Sequence, residues 1–182
     1  IGTLSLTLNQ ARIANRHKRE AMTDALTGLL NRRALLQNPS DTVPAGTALV
    51  AMDLDYFKKI NDRYGHDCGD RALKAFAELI RANIRPTDLA ARMGGEEFCI
   101  VVSDSNPRAP MTIAERIREQ VEAMTISTAA GPVRTTVSAG ISYASGDETL
   151  QSLLIRADEA LYEAKSEGRN RVRTSDLNGL AA

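Results

Sequence analysis

The sequence has few of the residues that build disulfide frameworks or histidine-based metal sites. Its 182 residues include two cysteines, Cys68 and Cys99, and two histidines, His17 and His66. The cysteines lack metal-ligand spacing, so we expect buried or free thiols in a reducing compartment. Two histidines are too few for a metal cluster built on imidazole. Because a chain of this length buries roughly 70% of its unfolded surface, it needs neither a disulfide nor a structural metal to fold.

The sequence also lacks an excess of either charge and lacks a long apolar run. Lys and Arg total 23, Asp and Glu total 23, and the formal net charge is zero. A protein dedicated to a nucleic acid polymer would need a basic excess, so that class is disfavoured, whereas a few residues suffice to bind one small anion. No apolar run approaches the roughly 18 residues of a membrane span.

Residues 1–22 carry a repeat that sets them apart from the rest of the chain. Spacings of three and four alternate along Ile1, Leu4, Leu8, Ala11, Asn15, Lys18 and Met22. This heptad seam predicts a helix with two interpretations: a parallel coiled coil that joins two copies and carries a signal, or a surface helix packed on its own domain. Because the chain begins at Ile1 rather than Met, we expect a fragment, upstream of which a signal, a membrane anchor or a sensor domain could lie.

Strand and helix patterns alternate along the remaining sequence. The predicted strands cover residues 47–52, 89–92, 98–102, 135–143 and 171–173. The predicted helices cover residues 32–37, 53–64, 69–84, 113–124 and 150–164. Asn31 is expected to cap the first helix and Gly168 the last. The order predicts an α/β or α+β fold with helices over a central sheet.

Carboxylates gather at the ends of two predicted strands. Asp53 and Asp55 come at the end of a predicted buried strand, where α/β proteins bind ligands. For Asp55 alone we favour the role of a cap for the next helix. Asp53 is still attached to the apolar strand and has less structural reason to be there. Gly95 belongs to a glycine pair that lets backbone approach a ligand closely, and Glu96 and Glu97 follow it. If the two strands are neighbours, Asp53 and these glutamates form a divalent-cation site, and hard oxygen ligands favour Mg²⁺.

Polar residues after the first strand match the chemistry of a nucleotide. Lys58 and Lys59 could neutralise triphosphate charge near a metal. Asn61 and Asp70 offer donors and acceptors that match a guanine edge, and His66 lies between them in sequence. Each of these residues, taken alone, is typical of a solvated surface.

Five blocks together resemble the GGDEF family of diguanylate cyclases over residues 24–172. They are DALTGLLNRR, MDLDYFKKINDRYGHDCGD, RMGGEEF, TVSAGIS and ADEALYEAKSEGRNRV, in family order and spacing. The resemblance implies a palm-like, mainly antiparallel sheet flanked by helices, as in nucleotidyl cyclases and polymerases. It implies a catalytic domain over 23–174, a signalling helix over 1–22 and a tail over 175–182. It also implies that two GTP molecules, one on each domain of a homodimer, condense to cyclic di-GMP and pyrophosphate.

The resemblance also assigns roles to individual residues. Asp53, the backbone carbonyl of Leu54 and Glu97 match metal ligands, for Mg²⁺ or Mn²⁺, and Glu96 matches the acceptor of the 3′-hydroxyl proton. Lys58 matches a residue that stabilises charge on the transferring phosphate. The substrate-binding positions are Asn61, His66, Asp70, Gly95, Lys165 and Arg169, of which Lys165 and Arg169 hold the terminal phosphates.

An RxxD motif precedes the signature and resembles the family's inhibitory product site. Arg85 and Asp88 match the residues that read cyclic di-GMP there, and Arg116 matches a secondary arginine. Two alternatives to an active, product-inhibited cyclase remain. One is a degenerate receptor for GTP or cyclic di-GMP, and the other is a related nucleotidyl cyclase or a synthase of a hybrid dinucleotide. The surviving signature acids disfavour the receptor. We expect a cytoplasmic catalytic domain whose full-length protein could be anchored in a membrane.

Overall fold

The structure, a computed structural model, describes residues 22–38, 40–103 and 106–175. Its strands are β1 (Leu30–Asn31), β2 (Thr42–Val43), β3 (Thr47–Leu54), β4 (Leu89–Gly94), β5 (Glu97–Ser103), β6 (Ile126–Thr128), β7 (Gly131–Val133), β8 (Val137–Tyr143), β9 (Glu148–Thr149) and β10 (Val172–Thr174). Its helices are α1 (Arg32–Leu35), α2 (Phe57–Tyr64), α3 (His66–Asn83), α4 (Ala109–Ala123) and α5 (Leu150–Ser166). The predicted helix over 1–22 and the tail over 175–182 lie outside these residues, apart from Met22 and Ser175.

A six-stranded sheet organises the fold in the order β1-β4-β5-β3-β8-β10. Strand β3 pairs antiparallel with both β5 and β8, and β4 pairs antiparallel with β5. Only the short edge strands β1 and β10 run parallel to their neighbours. The expected mixed α/β fold with a central, mainly antiparallel sheet is confirmed.

Side chains of β3 alternate between two cores, one on each face of the sheet. All eight residues of β3 are buried, as the apolar run predicts. Val50 and Met52 join the larger core under α3 and α4, and Leu49 and Ala51 join the smaller core under α5. Helix α5 lies close to β8, because a Cβ on Gly140 would stand 2.1 Å from a backbone carbonyl of α5. The sheet is therefore covered by helices on both faces.

The helix predicted over 53–64 begins later than expected. Strand β3 continues through Leu54, and Tyr56 adopts a left-handed conformation with φ of 57°, so α2 begins at Phe57. Helix α3 begins at His66, three residues before its predicted start. The short strands β1, β2, β6, β7 and β9 were not predicted, whereas the caps at Asn31 and Gly168 are confirmed: Asn31 Oδ1 accepts from the Ala34 N–H at 2.9 Å, and Gly168 has φ of +116°. No helix among the described residues is both long and apolar enough to cross a membrane.

Candidate active site

Two signature carboxylates lie side by side at one end of the sheet. Asp53 of β3 is the direct cross-strand partner of Glu97 of β5. Such partners have Cβ atoms roughly 4.5–5.5 Å apart on the same face. Asp53 is 5% exposed, whereas Glu97 lies at the exposed start of β5. The expected neighbourhood of the two strands is confirmed, and one carboxylate is buried while the other faces solvent.

A lysine from α5 reaches the buried carboxylate. Because odd-numbered residues of β3 face α5, Asp53 points toward that helix, and Lys165 Nζ lies 2.9 Å from Asp53 Oδ2. The pKa of Asp53 is raised to about 6, mainly by burial; Lys165 opposes the shift, and the nearby charges of Glu96 and Glu97 add to it. Burial and Glu97 also raise the pKa of Asp158 on α5. The site therefore concentrates negative charge and stabilises an added cation.

The carboxylates present fit a divalent cation that takes some of its ligands from the protein and the rest from water and the substrate. Among the described residues no group of three or more His, Cys, Asp and Glu side chains is close enough to hold a metal alone. Asp53 and Glu97 offer two carboxylates, and Leu54, whose side chain is a hydrocarbon, can offer only its backbone carbonyl. Mg²⁺ commonly takes one or two carboxylates and completes its shell with water and substrate phosphates. The lysine ammonium already beside Asp53 shows that this carboxylate accepts a cation.

The glycine pair forms the expected hairpin between β4 and β5. Gly94 and Gly95 have φ of +154° and +50°, and a Cβ at either residue would meet no atom within 4 Å. Arg92 holds the turn, since its Nε and Nη2 donate to the Gly95 carbonyl at 2.9 and 2.8 Å. Its Nη1 lies 3.2 Å from both carboxylate oxygens of Asp24. We did not predict this role for Arg92; the pairing ties the hairpin that carries Glu96 to the segment that follows residues 1–22.

The predicted guanine-reading residues lie where α2 meets α3. Asn61 projects from α2 toward Gly69 of α3, where an added Cβ would stand 1.9 Å from Asn61 Oδ1. That oxygen is buried and has no hydrogen-bond partner in the structure. His66 and Asp70 lie on α3 beside Gly69, and both are exposed. The missing side chain of Gly69 therefore leaves room for Asn61 beside two exposed polar groups.

The predicted phosphate ligands come from two separate segments. Lys58 is exposed in the first turn of α2. Arg169 follows α5 in a left-handed conformation with φ of 65°, and its guanidinium lies 4.7 Å from the centroid of the Tyr56 ring. Lys165 lies one helical turn before Arg169 and beside Asp53. The structure therefore brings Lys165 and Arg169 to the β3–α2 turn, and Lys58 lies just beyond it in the first turn of α2.

Asp55 does not cap α2, and the expectation that it does is wrong. Its side chain is 2% exposed and accepts hydrogen bonds from the hydroxyls of Thr136 at 2.6 Å and Ser138 at 2.7 Å. It also accepts from the Asn170 N–H at 3.1 Å. These bonds join the β3–α2 turn to β8 and to the residue after Arg169. Asp55 therefore positions both segments that carry the predicted phosphate ligands.

Comparison with known proteins identifies the family. A family model described as "Diguanylate cyclase, GGDEF domain" matches residues 21–171. The chain belongs to this family. The response regulator PleD of Caulobacter vibrioides is 42% identical over 161 residues, which cover 84% of this chain and 36% of PleD. Diguanylate cyclase A of Treponema denticola is 43% identical over 132 residues, which cover 72% of this chain and 36% of that protein. This GGDEF chain thus spans about a third of the length of these relatives.

Solved GGDEF structures share the fold. The coiled coil and GGDEF domain of DgcB from Caulobacter crescentus, in complex with c-di-GMP, matches with a TM-score of 0.86 and 29% identity over 94% of this chain and 95% of that chain. SiaD from Pseudomonas aeruginosa, in complex with its activator SiaC, matches with a TM-score of 0.77 and 31% identity over 94% of this chain and 72% of that chain. These matches confirm the palm-like fold that the resemblance implied.

The RxxD residues of this GGDEF domain lie on the turn between α3 and β4. Asp88 is buried, and its Oδ2 accepts from the Arg85 N–H at 2.9 Å, so the carboxylate closes the turn. Arg116 reaches this turn from α4, where its Nε donates to Asn83 Oδ1 and its Nη2 donates to the Asn83 carbonyl at 2.9 Å. The structure thus brings Arg116 to the helix end that leads into Arg85.

Proposed function

We propose that this GGDEF domain condenses two molecules of GTP into cyclic di-GMP, with loss of two pyrophosphates. The observation that carries the proposal is the pairing of Asp53 with Glu97, with the Lys165 ammonium 2.9 Å from Asp53. Acidic groups that bind a cation and basic groups that bind phosphates thus meet at one end of the sheet. Phosphoryl transfer depends mainly on such positioning and charge neutralisation.

In this proposal one GTP lies between the two halves of the site. The guanine contacts Asn61 and Asp70, with His66 nearby, because the buried oxygen of Asn61 lacks a partner and Asp70 is exposed on the next helix. The phosphates contact Lys165 and Arg169. Lys58 faces the transferring phosphate, and the open backbone at Gly95 lets the substrate approach closely.

Asp53, Glu97 and the Leu54 carbonyl would hold Mg²⁺, with Mn²⁺ as the alternative. The ion would supply neutralising charge to the triphosphate. The pKa of Asp53, raised to about 6 by burial and by its acidic neighbours, fits a carboxylate that gains from a bound cation. Lys165 neutralises the same carboxylate in the structure described here.

Each condensation forms a bond from a 3′-oxygen to an α-phosphorus and breaks the α–β phosphoanhydride bond. The 3′-hydroxyl proton passes to Glu96, and pyrophosphate leaves with the electron pair of the broken bond. Because one domain holds one GTP, the hydroxyl must come from the nucleotide of a second domain. We therefore infer a homodimer in which two sites face each other and each step occurs once per site.

The RxxD turn would bind the product and inhibit the enzyme. Arg85 and Arg116 supply positive charge at one turn, and Asp88 holds the backbone of that turn in place. Since GTP is a cytoplasmic nucleotide, the proposal places this domain in the cytoplasm.

Turnover with product identification tests the proposal. The chain with GTP and Mg²⁺ should yield cyclic di-GMP and pyrophosphate, measured by chromatography and mass spectrometry. Glu96→Gln should remove turnover and leave GTP binding intact, whereas Glu159→Gln, at an exposed position on α5, should leave both unchanged. GTP binding without product at any protein concentration would overturn the cyclase assignment and favour the receptor. An active Glu96→Gln variant would exclude Glu96 as the base.

A further inference from the structure

A cavity lies beside α2, on the side of the helix away from Lys58 and Asn61. It has a volume of about 550 Å³ and is bounded by α2, the end of the β6–β7 hairpin and residues 134–136. Lys59 and Arg63, spaced i and i+4, line it from α2. Lys58 and Asn61, spaced i and i+3, point to the other side of the helix, since residues on one face of a helix recur every 3.6 positions. The cavity is therefore on the other side of α2 from Lys58 and Asn61, and it meets the predicted phosphate ligands only at Tyr56, whose ring Arg169 also contacts.

Three cations line this cavity without an ion-pair partner among the described residues. Lys59 and Arg63 come from α2, and Arg134 comes from the segment before β8. The two acidic residues of the lining already have partners. Asp55 accepts the three hydrogen bonds described above, and Glu122 accepts from Arg118 at 2.9 Å and from the Asn170 side chain at 2.9 Å. The groups available to a ligand are therefore positively charged.

Aromatic and apolar surface lies between these charges. Lys59 Nζ lies 4.4 Å from the centroid of the Tyr56 ring, and the Arg63 guanidinium lies 5.3 Å from that of Tyr64. Ile60 of α2 and Val133 of β7 contribute buried apolar side chains to the lining. A volume of this size is within the roughly 300–1,000 Å³ of small-molecule sites, which combine apolar walls with a few directed polar groups.

We propose that this cavity binds a phosphorylated small molecule that carries a flat ring. Its phosphate would contact Lys59, Arg63 and Arg134, because cations that lack carboxylate partners gain most from a dianion. Its ring would contact Tyr56, Tyr64 and the apolar wall. The proposal is independent of the activity assigned to the site on the other side of α2.

Site-resolved NMR titration tests this proposal with phenyl phosphate as the probe. The backbone amide signals of residues 133–136 should shift and saturate. Inorganic phosphate, which lacks the ring, and phenol, which lacks the charge, should each bind at least tenfold more weakly. The double variant Arg63→Gln/Arg134→Gln should weaken phenyl phosphate binding about tenfold or more, a loss of about 1.4 kcal/mol.

Arg108→Gln provides the matched control. Arg108 is exposed at the start of α4, whereas Glu122, on the cavity, lies near the end of the same helix, roughly 20 Å away at 1.5 Å per residue. This control should bind like the wild type, and all variants should unfold at the wild-type urea midpoint. Equal affinity in the Arg63→Gln/Arg134→Gln variant, equal binding of phenol, or no amide shifts in residues 133–136 would each overturn the proposal.

Discussion

Removing the Asp55 carboxylate should destabilise the protein more than any surface substitution. Its side chain is 2% exposed and accepts from Thr136, Ser138 and Asn170. Asp55→Ala leaves these donors in a buried space without an acceptor. The Asn170 N–H is fixed by the backbone and cannot turn away, whereas the two hydroxyls can rotate.

The size of the effect follows from these three bonds. A hydrogen bond to a charged acceptor contributes roughly 1.5–3 kcal/mol. The two hydroxyls can rotate to other acceptors and so recover part of the lost free energy. We therefore expect Asp55→Ala to lower the free energy of unfolding by about 3–5 kcal/mol. Asp55→Asn keeps one oxygen for Thr136 and Asn170, and its amide can donate to the Ser138 hydroxyl. We therefore expect a loss of about 1–2 kcal/mol for this variant.

Urea unfolding measures both losses, with Asp62→Ala as the control. Asp62 is exposed on α2, so its replacement should change the unfolding free energy by less than about 0.5 kcal/mol. The slope of the unfolding free energy against urea should be unchanged in all three variants, since a changed slope indicates an altered unfolded or native ensemble. A loss below about 1 kcal/mol for Asp55→Ala, or equal losses for Ala and Asn at this position, would refute the role assigned to these bonds.

Three further substitutions test other contacts. Gly69→Ala places a Cβ 1.9 Å from Asn61 Oδ1 and 3.1 Å from Phe57 Cζ, so Asn61 must move and the KM for GTP should rise about tenfold. Asp24→Asn removes the charge that pairs with Arg92 and should cost about 0.5–1 kcal/mol at pH 7 in denaturant unfolding. Gly140→Ala places a Cβ 2.1 Å from the backbone of α5 and should lower the unfolding free energy by more than about 3 kcal/mol.

The loss of stability expected for Asp24→Asn also depends on pH. Burial alone would raise the pKa of this carboxyl, but hydrogen bonds from Thr27 and Arg92 outweigh burial and lower it below its ordinary value of 3.8. The contribution of Asp24 is therefore present above that value and is lost as the pH falls through the lowered pKa. The wild type and Asp24→Asn should converge in stability at low pH. A difference in unfolding free energy between the wild type and Asp24→Asn that stays constant down to pH 2 would contradict this. An unchanged KM for GTP would contradict the Gly69 prediction. Wild-type stability of Gly140→Ala would contradict the Gly140 prediction.

The main elements of the fold are predictable because their patterns are long. The buried run of β3 and the helical spacing of α3, α4 and α5 each persist over enough residues to be recognised. The start of α2 is not predictable, because the acidic residues at positions 53 and 55 resemble the first turn of a helix. Pairing of β3 with both β5 and β8 takes residues 53 and 54 into the sheet instead. The β6–β7 hairpin has strands of three residues, too short to show a period.

The candidate site also has features that the sequence predicts and features that it does not. That Asp53 lies beside the GGEEF hairpin is predictable, because both follow from strand ends near an apolar core. The role of Asp55 is not, since its three partners lie 81, 83 and 115 residues away along the chain. The pairing of Arg92 with Asp24 likewise depends on residues 68 positions apart. The roles of the predicted catalytic, substrate and product-site residues remain predictions, of which the experiments above test the catalytic role of Glu96 and the substrate contact of Asn61.

The short strands at both edges of the sheet determine how two copies of the domain can meet. In the part of the chain that the structure describes, β1 offers two residues of edge backbone and β10 offers three. An edge this short gives a second chain few backbone groups to pair with, which protects a sheet from joining edge to edge with its neighbours. The proposed homodimer would therefore associate through loops and helix faces. Such contacts can separate and re-form without breaking a shared sheet, which suits the proposed joining of two substrates.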